Sequence, residues 1–197
     1  MIQKLPFSYP GIDDDIRRLE GLLKQVFKLA DLKFNGRLAL LNLACGRADE
    51  TGVLSTSVFP AEIGFYLGID LRSEDIAEAK KRWELPGGEI DFHEGNAATI
   101  GRMETLPEFD IIFIRHQNYW HEPLVWEGIL DEVLVALKDD GVFTCTSYFD
   151  LEHELLLASM RTRGVKLLAN IRNKHSRIVP DAKGKSVDRW VAVFRKQ

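Results

Sequence analysis

At 197 residues the chain has the length of one domain built on a single sizeable core. A composition 45% apolar and 28% charged, with a net charge of -4, excludes disordered and fibrous classes. No apolar run approaches the ~20 residues that span a bilayer, and residues 1–10 lack the basic start and apolar stretch of a signal peptide. A cytoplasmic protein is expected.

Asp13 to Leu32 reads as an amphipathic helix. Ile16, Leu19, Leu23, Val26 and Phe27 recur at helical spacing, and Asp13–Asp15 put acid at the positive end of its dipole. Leu38–Ala44 is then a short apolar run, as a buried parallel strand would be, and it ends in Cys45-Gly46. Phe65–Asp70 is a second strand, followed by a helix over Ser73–Arg82. Pro86-Gly-Gly88 turns the chain into a weak strand at Ile90–His93. Phe109–Arg115 is a strong fourth strand, and Pro123–Leu137 carries apolar residues on one helical face. Asp139-Asp-Gly141 reads as a turn before a fifth strand, Val142–Tyr148, and Leu151–Arg163 as a helix. Two last strands, Val165–Ile171 and Val187–Phe194, have no apolar helix between them and form an antiparallel hairpin with a long loop. Cys45 and Cys145 lie in or beside apolar runs, as buried free thiols of a reducing compartment do. Trp83 and Trp126 read as core residues.

Alternating strands and helices imply an α/β fold, with parallel strands joined by right-handed crossovers. Ligands bind such sheets beyond the carboxyl ends of the strands. Those ends read Asn42-Leu-Ala-Cys-Gly-Arg-Ala48, with small residues that admit a ligand close to the backbone; Asp70, 24 residues after Gly46; His93-Glu-Gly-Asn96; and Arg115-His-Gln-Asn-Tyr-Trp-His-Glu122.

Taken in order with Phe109-Asp-Ile-Ile112 and Leu137-Lys-Asp-Asp-Gly-Val142, these segments resemble the class I S-adenosylmethionine-dependent methyltransferases from about Arg37 to Tyr148. The resemblance implies a Rossmann-like, open, twisted seven-stranded sheet, mostly parallel with an antiparallel last strand between the fifth strand and Val165–Ile171. It implies S-adenosyl-L-methionine as cofactor. Asn42, Ala44, Gly46 and Ala48 would hold its methionine part, Asp70 the ribose and Leu71 the adenine face. Asn96 and Ala97 would meet the adenine edge, and Arg115 and His116 would face the methionine end. The family usually has an acid where Asn42 stands and glycines where Ala44 and Ala48 stand. Residues 1–36 would form a helical segment covering the cleft of one methyltransferase domain over 1–197.

For the chemistry, His116 or His121 has the side chain of a base, and Tyr119 and Trp120 could wall the acceptor. A His-Xaa4-His pair without a third ligand gives no metal site. A nicotinamide dehydrogenase needs two further glycines after Gly46 that are absent. Residues 1–160 carry a net charge of -13 and residues 161–197 one of +9. Lys174, His175, Arg177, Lys183 and Lys185 fall in the hairpin loop, so a nucleic-acid partner, in an RNA or ribosomal-component methyltransferase, is an alternative to a small-molecule acceptor. A non-catalytic cofactor-binding protein on the same scaffold is a third reading. No membrane partner is expected.

Overall fold

Leu38 and Leu40 turn to one side of their strand and Leu41 and Leu43 to the other, and each pair enters a separate hydrophobic cluster. That double burial is why the strands read as continuous apolar runs rather than alternating ones. The computed structural model describes every residue except Ser8, Glu104, Thr105 and Asn118, and the side chain of Arg102.

In chain order the elements are β1 (Ile2–Gln3), α1 (Ile12–Leu29), β2 (Arg37–Leu43), α2 (Thr51–Ser57), β3 (Glu62–Asp70), α3 (Ser73–Arg82), β4 (Trp83–Glu84) and β5 (Glu89–Glu94). There follow a 3-10 helix (Ala97–Arg102), β6 (Phe109–Ile114), α4 (Pro123–Ala136), β7 (Leu137–Ser147), α5 (Asp150–Thr162), β8 (Lys166–Arg172) and β9 (Trp190–Arg195). The main sheet has the order β5-β3-β2-β6-β7-β9-β8. Its first five strands are parallel, and β9 runs antiparallel between β7 and β8. This is the expected Rossmann-like sheet with its reversed last strand.

One cluster places α1, through Leu19, Leu23 and Val26, against Tyr66, Phe113 and Val193. Each such fully buried side chain contributes about 1.5–3 kcal/mol. The other places Leu130 and Val133 of α4 and Met160 of α5 against Leu43, Ile112 and Phe143.

Four details depart from the sequence reading. Helix α2 was not foreseen, because Thr51-Gly-Val-Leu-Ser-Thr-Ser57 is short and made mostly of weak helix formers. Neither was the small antiparallel pair of β1 with β4. Asp139 and Asp140, expected in a turn, lie inside β7, where the register slips between the Phe109–Leu137 and Ile111–Val142 pairs. Trp83 is buried as expected, but Trp126 is half-buried and lines a cleft.

Register sets the site. Leu43 pairs with Ile69 and with Ile114, and Ile114 pairs with Cys145. Ala44, Asp70, Arg115 and Thr146 therefore emerge together at one end of the sheet.

Candidate functional site

At that end lies a cleft of about 500 Å³, lined by Ala44–Arg47, Asp49, Glu50, Asp70, Arg72, Arg115, His116, Trp126 and Tyr148. Ile12 and Asp15 from α1, and Arg177 and Val187 from the hairpin loop, complete it. A larger groove of about 1080 Å³ opens where β2 and β3 begin, between Phe27, Phe34, Phe59 and Ile63. It lies at the opposite strand ends from those where open α/β sheets bind ligands.

The floor of the cleft is the turn after β2. Ala44, Gly46 and Ala48 are all left-handed, with φ of 52°, 52° and 55°. An L-residue in that conformation costs about 1–2 kcal/mol, which accounts for the glycines expected at 44 and 48. The turn is pinned by its own amides. Cys45 N–H donates to the Ile69 carbonyl at 3.0 Å, and Ala48 N–H to the Cys45 carbonyl at 2.7 Å. Gly46 N–H donates to Asp70 Oδ2 at 2.7 Å. Asp70 Oδ1 accepts from Arg72 N–H at 2.9 Å and from Arg72 Nε at 3.2 Å.

Asn42 does not line the cleft. It is fully buried, and its Nδ2 donates to Glu50 Oε1 at 2.6 Å and to Tyr66 Oη at 2.9 Å, while its Oδ1 has no partner among the described residues. Glu50, eight residues on, lines the cleft in its place. Burial raises the Glu50 carboxyl above its ordinary value against the opposing pull of Arg115, whose Nη1 lies 3.7 Å from Oε2.

Arg115 sits between two acids. It donates to Asp188 through Nε at 3.1 Å and Nη2 at 2.7 Å. Burial opposes its charge, but Asp188 and then Glu50 outweigh burial and hold it protonated. Burial likewise pushes the Asp188 carboxyl up, and Arg115 and His116 together hold it well below the carboxylate range. Thr146 Oγ1 donates to Asp188 Oδ1 at 2.9 Å. His116 meets Asp188 twice: its Nε2 accepts from the Asp188 N–H at 3.0 Å and lies 2.8 Å from Oδ1. The amide favours a bare Nε2 and the carboxylate a protonated one, so one proton tips the ring between two states. Burial lowers its pKa, with Asp188 opposing. His116 and Asp188 are both left-handed, with φ of 60° and 48°, a form of strain that gathers at functional sites. Tyr148 stacks on the imidazole at 3.7 Å between centroids, and burial pushes its phenol up to about 12.

The remaining expected residues fall elsewhere. Ala48 is buried beneath the turn, and Leu71 is 69% exposed outside the cleft lining. Asn96 caps the 3-10 helix, its side chain accepting from Ala98 N–H at 2.9 Å, and Ala97 is buried beside it. Tyr119 is 6% exposed in the apolar cluster under α4, and nearby Gln117 Nε2 donates to Ser147 Oγ at 2.7 Å. His121 is exposed beyond the cleft, and Trp120 packs on Phe149 at 4.6 Å. Asn118 lies outside the described residues. Of the expected chemical side chains, His116 alone lines the cleft.

Glu50, Asp188 and Tyr148 were missed. The sequence signal for Glu50 is an acid eight residues after Asn42, in the small-residue loop that follows β2. Asp188 carries none, being 73 residues from Arg115.

A family model described as a methyltransferase domain matches residues 40–141. A sequence search among curated proteins finds no match. Among solved structures the chain is similar to an S-adenosylmethionine-dependent methyltransferase from Clostridium acetobutylicum ATCC 824, at 12% identity and a TM-score of 0.64 over 92% of each chain. It is similar to the N-methyltransferase NodS from Bradyrhizobium japonicum WM9, at 15% identity and a TM-score of 0.61 over 93% of this chain and 98% of that one. It is also similar to a ribosomal protein L11 methylase from Lactobacillus delbrueckii subsp. bulgaricus, at 16% identity and a TM-score of 0.58 over 88% and 80%. With more than half of its length matched, the chain belongs to the family of methyltransferase domains.

Proposed function

We propose that this chain is an active S-adenosylmethionine-dependent methyltransferase of a small-molecule acceptor. The observation that carries this reading is the left-handed turn 44–48, which lines a cleft of about 500 Å³ together with Asp70, Glu50 and Arg115, a size usual for small-ligand sites. Ala44 and Gly46 would admit the methionine chain, Glu50 and Arg115 its ammonium and carboxylate, and Asp70 the ribose hydroxyls. When bound, S-adenosylmethionine supplies an electrophilic methyl: the acceptor's lone pair bonds to carbon as the C–S electron pair returns to sulfur. The protein's own part is then to orient the acceptor and exclude water. His116, kept neutral by burial, would take a proton from an acceptor that must lose one, and the Asp188 carboxylate would stabilise the resulting charge.

The basic loop favours a small acceptor over RNA, since two of its cations are already engaged. Arg177 is paired with Asp15 and Lys185 with Asp181. Among the described residues no helix is long and apolar enough to cross a membrane, and the free buried thiols of Cys45 and Cys145 suit a reducing cytoplasm.

The test is transfer of isotope-labelled methyl from S-adenosylmethionine into a cell extract split by size. Label in the low-molecular-weight fraction supports the reading, and label in RNA or protein overturns the acceptor. Binding of S-adenosylhomocysteine with no transfer to either fraction would favour a non-catalytic cofactor-binding protein.

A further inference from the structure

Asp70 already carries most of the hydrogen bonds it can accept. An ionised carboxylate offers about four lone-pair sites. One on Oδ2 takes Gly46 N–H at 2.7 Å, and two on Oδ1 take Arg72 N–H at 2.9 Å and Arg72 Nε at 3.2 Å. One site remains. A vicinal diol such as a ribose needs two, so one of the three donors must leave. The two backbone amides are fixed, one in the left-handed turn and the other at the residue that caps α3. The guanidinium is the movable donor. Arg72 is 68% exposed along its side chain, and its Nε lies 2.9 Å from Asp75 Oδ2, closer than to Asp70. Asp75 is therefore a partner onto which it can withdraw. The same guanidinium overlies the floor of the cleft, since a Cβ built on Gly46 would stand 3.0 Å from Arg72 Nη2.

We infer that Arg72 competes with the ribose diol for Asp70, so that nucleoside binding requires the Arg72 guanidinium to release Asp70 and keep only Asp75. This rests on the reading of Asp70 as the ribose acceptor. Arg72 then sets affinity by opposing the ligand, and it makes diol binding depend on salt. Screening weakens the Arg72–Asp70 pair, so added salt strengthens binding of an uncharged nucleoside, the reverse of a site where the arginine holds the ligand.

The experiment is calorimetric titration of wild type and Arg72→Met with S-adenosylhomocysteine, and with adenosine and 2′,3′-dideoxyadenosine as neutral probes with and without the diol. Arg72→Met keeps the apolar stem and removes the competitor. The expected result is a gain of about 1.5- to 5-fold in affinity for S-adenosylhomocysteine and adenosine, the span of one exposed ion pair. The gain shrinks at high salt and is absent for the dideoxynucleoside. Weaker or unchanged binding by Arg72→Met overturns the inference, as does an equal gain for the probe without hydroxyls, which would make Arg72 a steric obstacle only. These failures leave wild-type binding of S-adenosylhomocysteine in place. Absence of that binding overturns the proposed function itself.

Discussion

Restoring the residue the family usually carries, by Asn42→Asp, is expected to destabilise this protein. The substitution exchanges Nδ2, which donates to Glu50 Oε1 at 2.6 Å and to Tyr66 Oη at 2.9 Å, for an oxygen. Two carboxylates then face each other at hydrogen-bond distance inside the core, where both cannot ionise. One must take a proton. At pH 7 an aspartate of ordinary pKa ~3.9 pays about 1.36 kcal/mol per unit for that uptake, about 4 kcal/mol in all, and about 1.5 kcal/mol at pH 5. Some of this is recovered, because the Tyr66 hydroxyl, now paired with Thr51 at 2.8 Å, can turn to donate to the new carboxylate. A net loss of about 3 kcal/mol at pH 7 is expected, or roughly 6–12 °C in Tm for a chain of this size. The sign with pH follows from linkage: the folded pair binds a proton that the unfolded chain releases, so the deficit grows as pH rises and closes as pH falls toward 5. Urea unfolding at pH 7.5 and pH 5.0 measures it. A further change, Glu50→Gln in the same chain, restores a donor between the two positions and should return most of the stability, a coupling that the double-mutant cycle isolates. A variant as stable as wild type at pH 7.5, or a deficit independent of pH, would refute the reasoning.

Asp70→Ala is expected to weaken S-adenosylhomocysteine binding at least tenfold by calorimetry, with circular dichroism unchanged; full affinity in a folded variant contradicts the ribose assignment. Glu152 is buried with its Oε2 accepting from the N–H groups of Tyr148 at 2.7 Å and Phe149 at 3.2 Å, yet burial outweighs those bonds and raises its pKa to about 7. A folded pKa raised from the ordinary 4.5 means that the folded state favours the proton, so wild-type stability falls as pH rises from about 4.5 through 7. Glu152→Gln keeps an acceptor and should flatten that decline between pH 5 and 8 in thermal melts. For the basic loop, no RNA gel shift is expected at physiological salt with micromolar protein, and Lys174→Glu should leave stability within about 0.5 kcal/mol. Arg177→Glu, which breaks the double hydrogen bond to buried Asp15, should cost more than Lys174→Glu.

The strands of the main sheet and the antiparallel pairing of the last two were legible in the sequence because each rests on a local signal, whereas the place of the last strand in the sheet came from the family resemblance. Leu38–Leu43 and Phe109–Ile114 are apolar without alternation, as doubly covered strands are, and the final two runs have no crossover helix between them. Gly46 and Asp70 were legible for the same reason, each closing a strand that announces itself. Tertiary structure decided the rest. Whether a polar side chain at a strand end faces the cleft or the core depends on what packs above it. Asn42 is turned inward by Glu50 and Tyr66, and Tyr119 is drawn into the cluster under α4, while Trp126 is left at the cleft wall. The partner of Arg115 was beyond any spacing rule. Because β9 runs antiparallel and pairs Trp190 with Ser147, the residues just before β9 are brought back to the carboxyl ends of the parallel strands. That reversal brings Asp188 to Arg115 and His116, both of which it contacts directly.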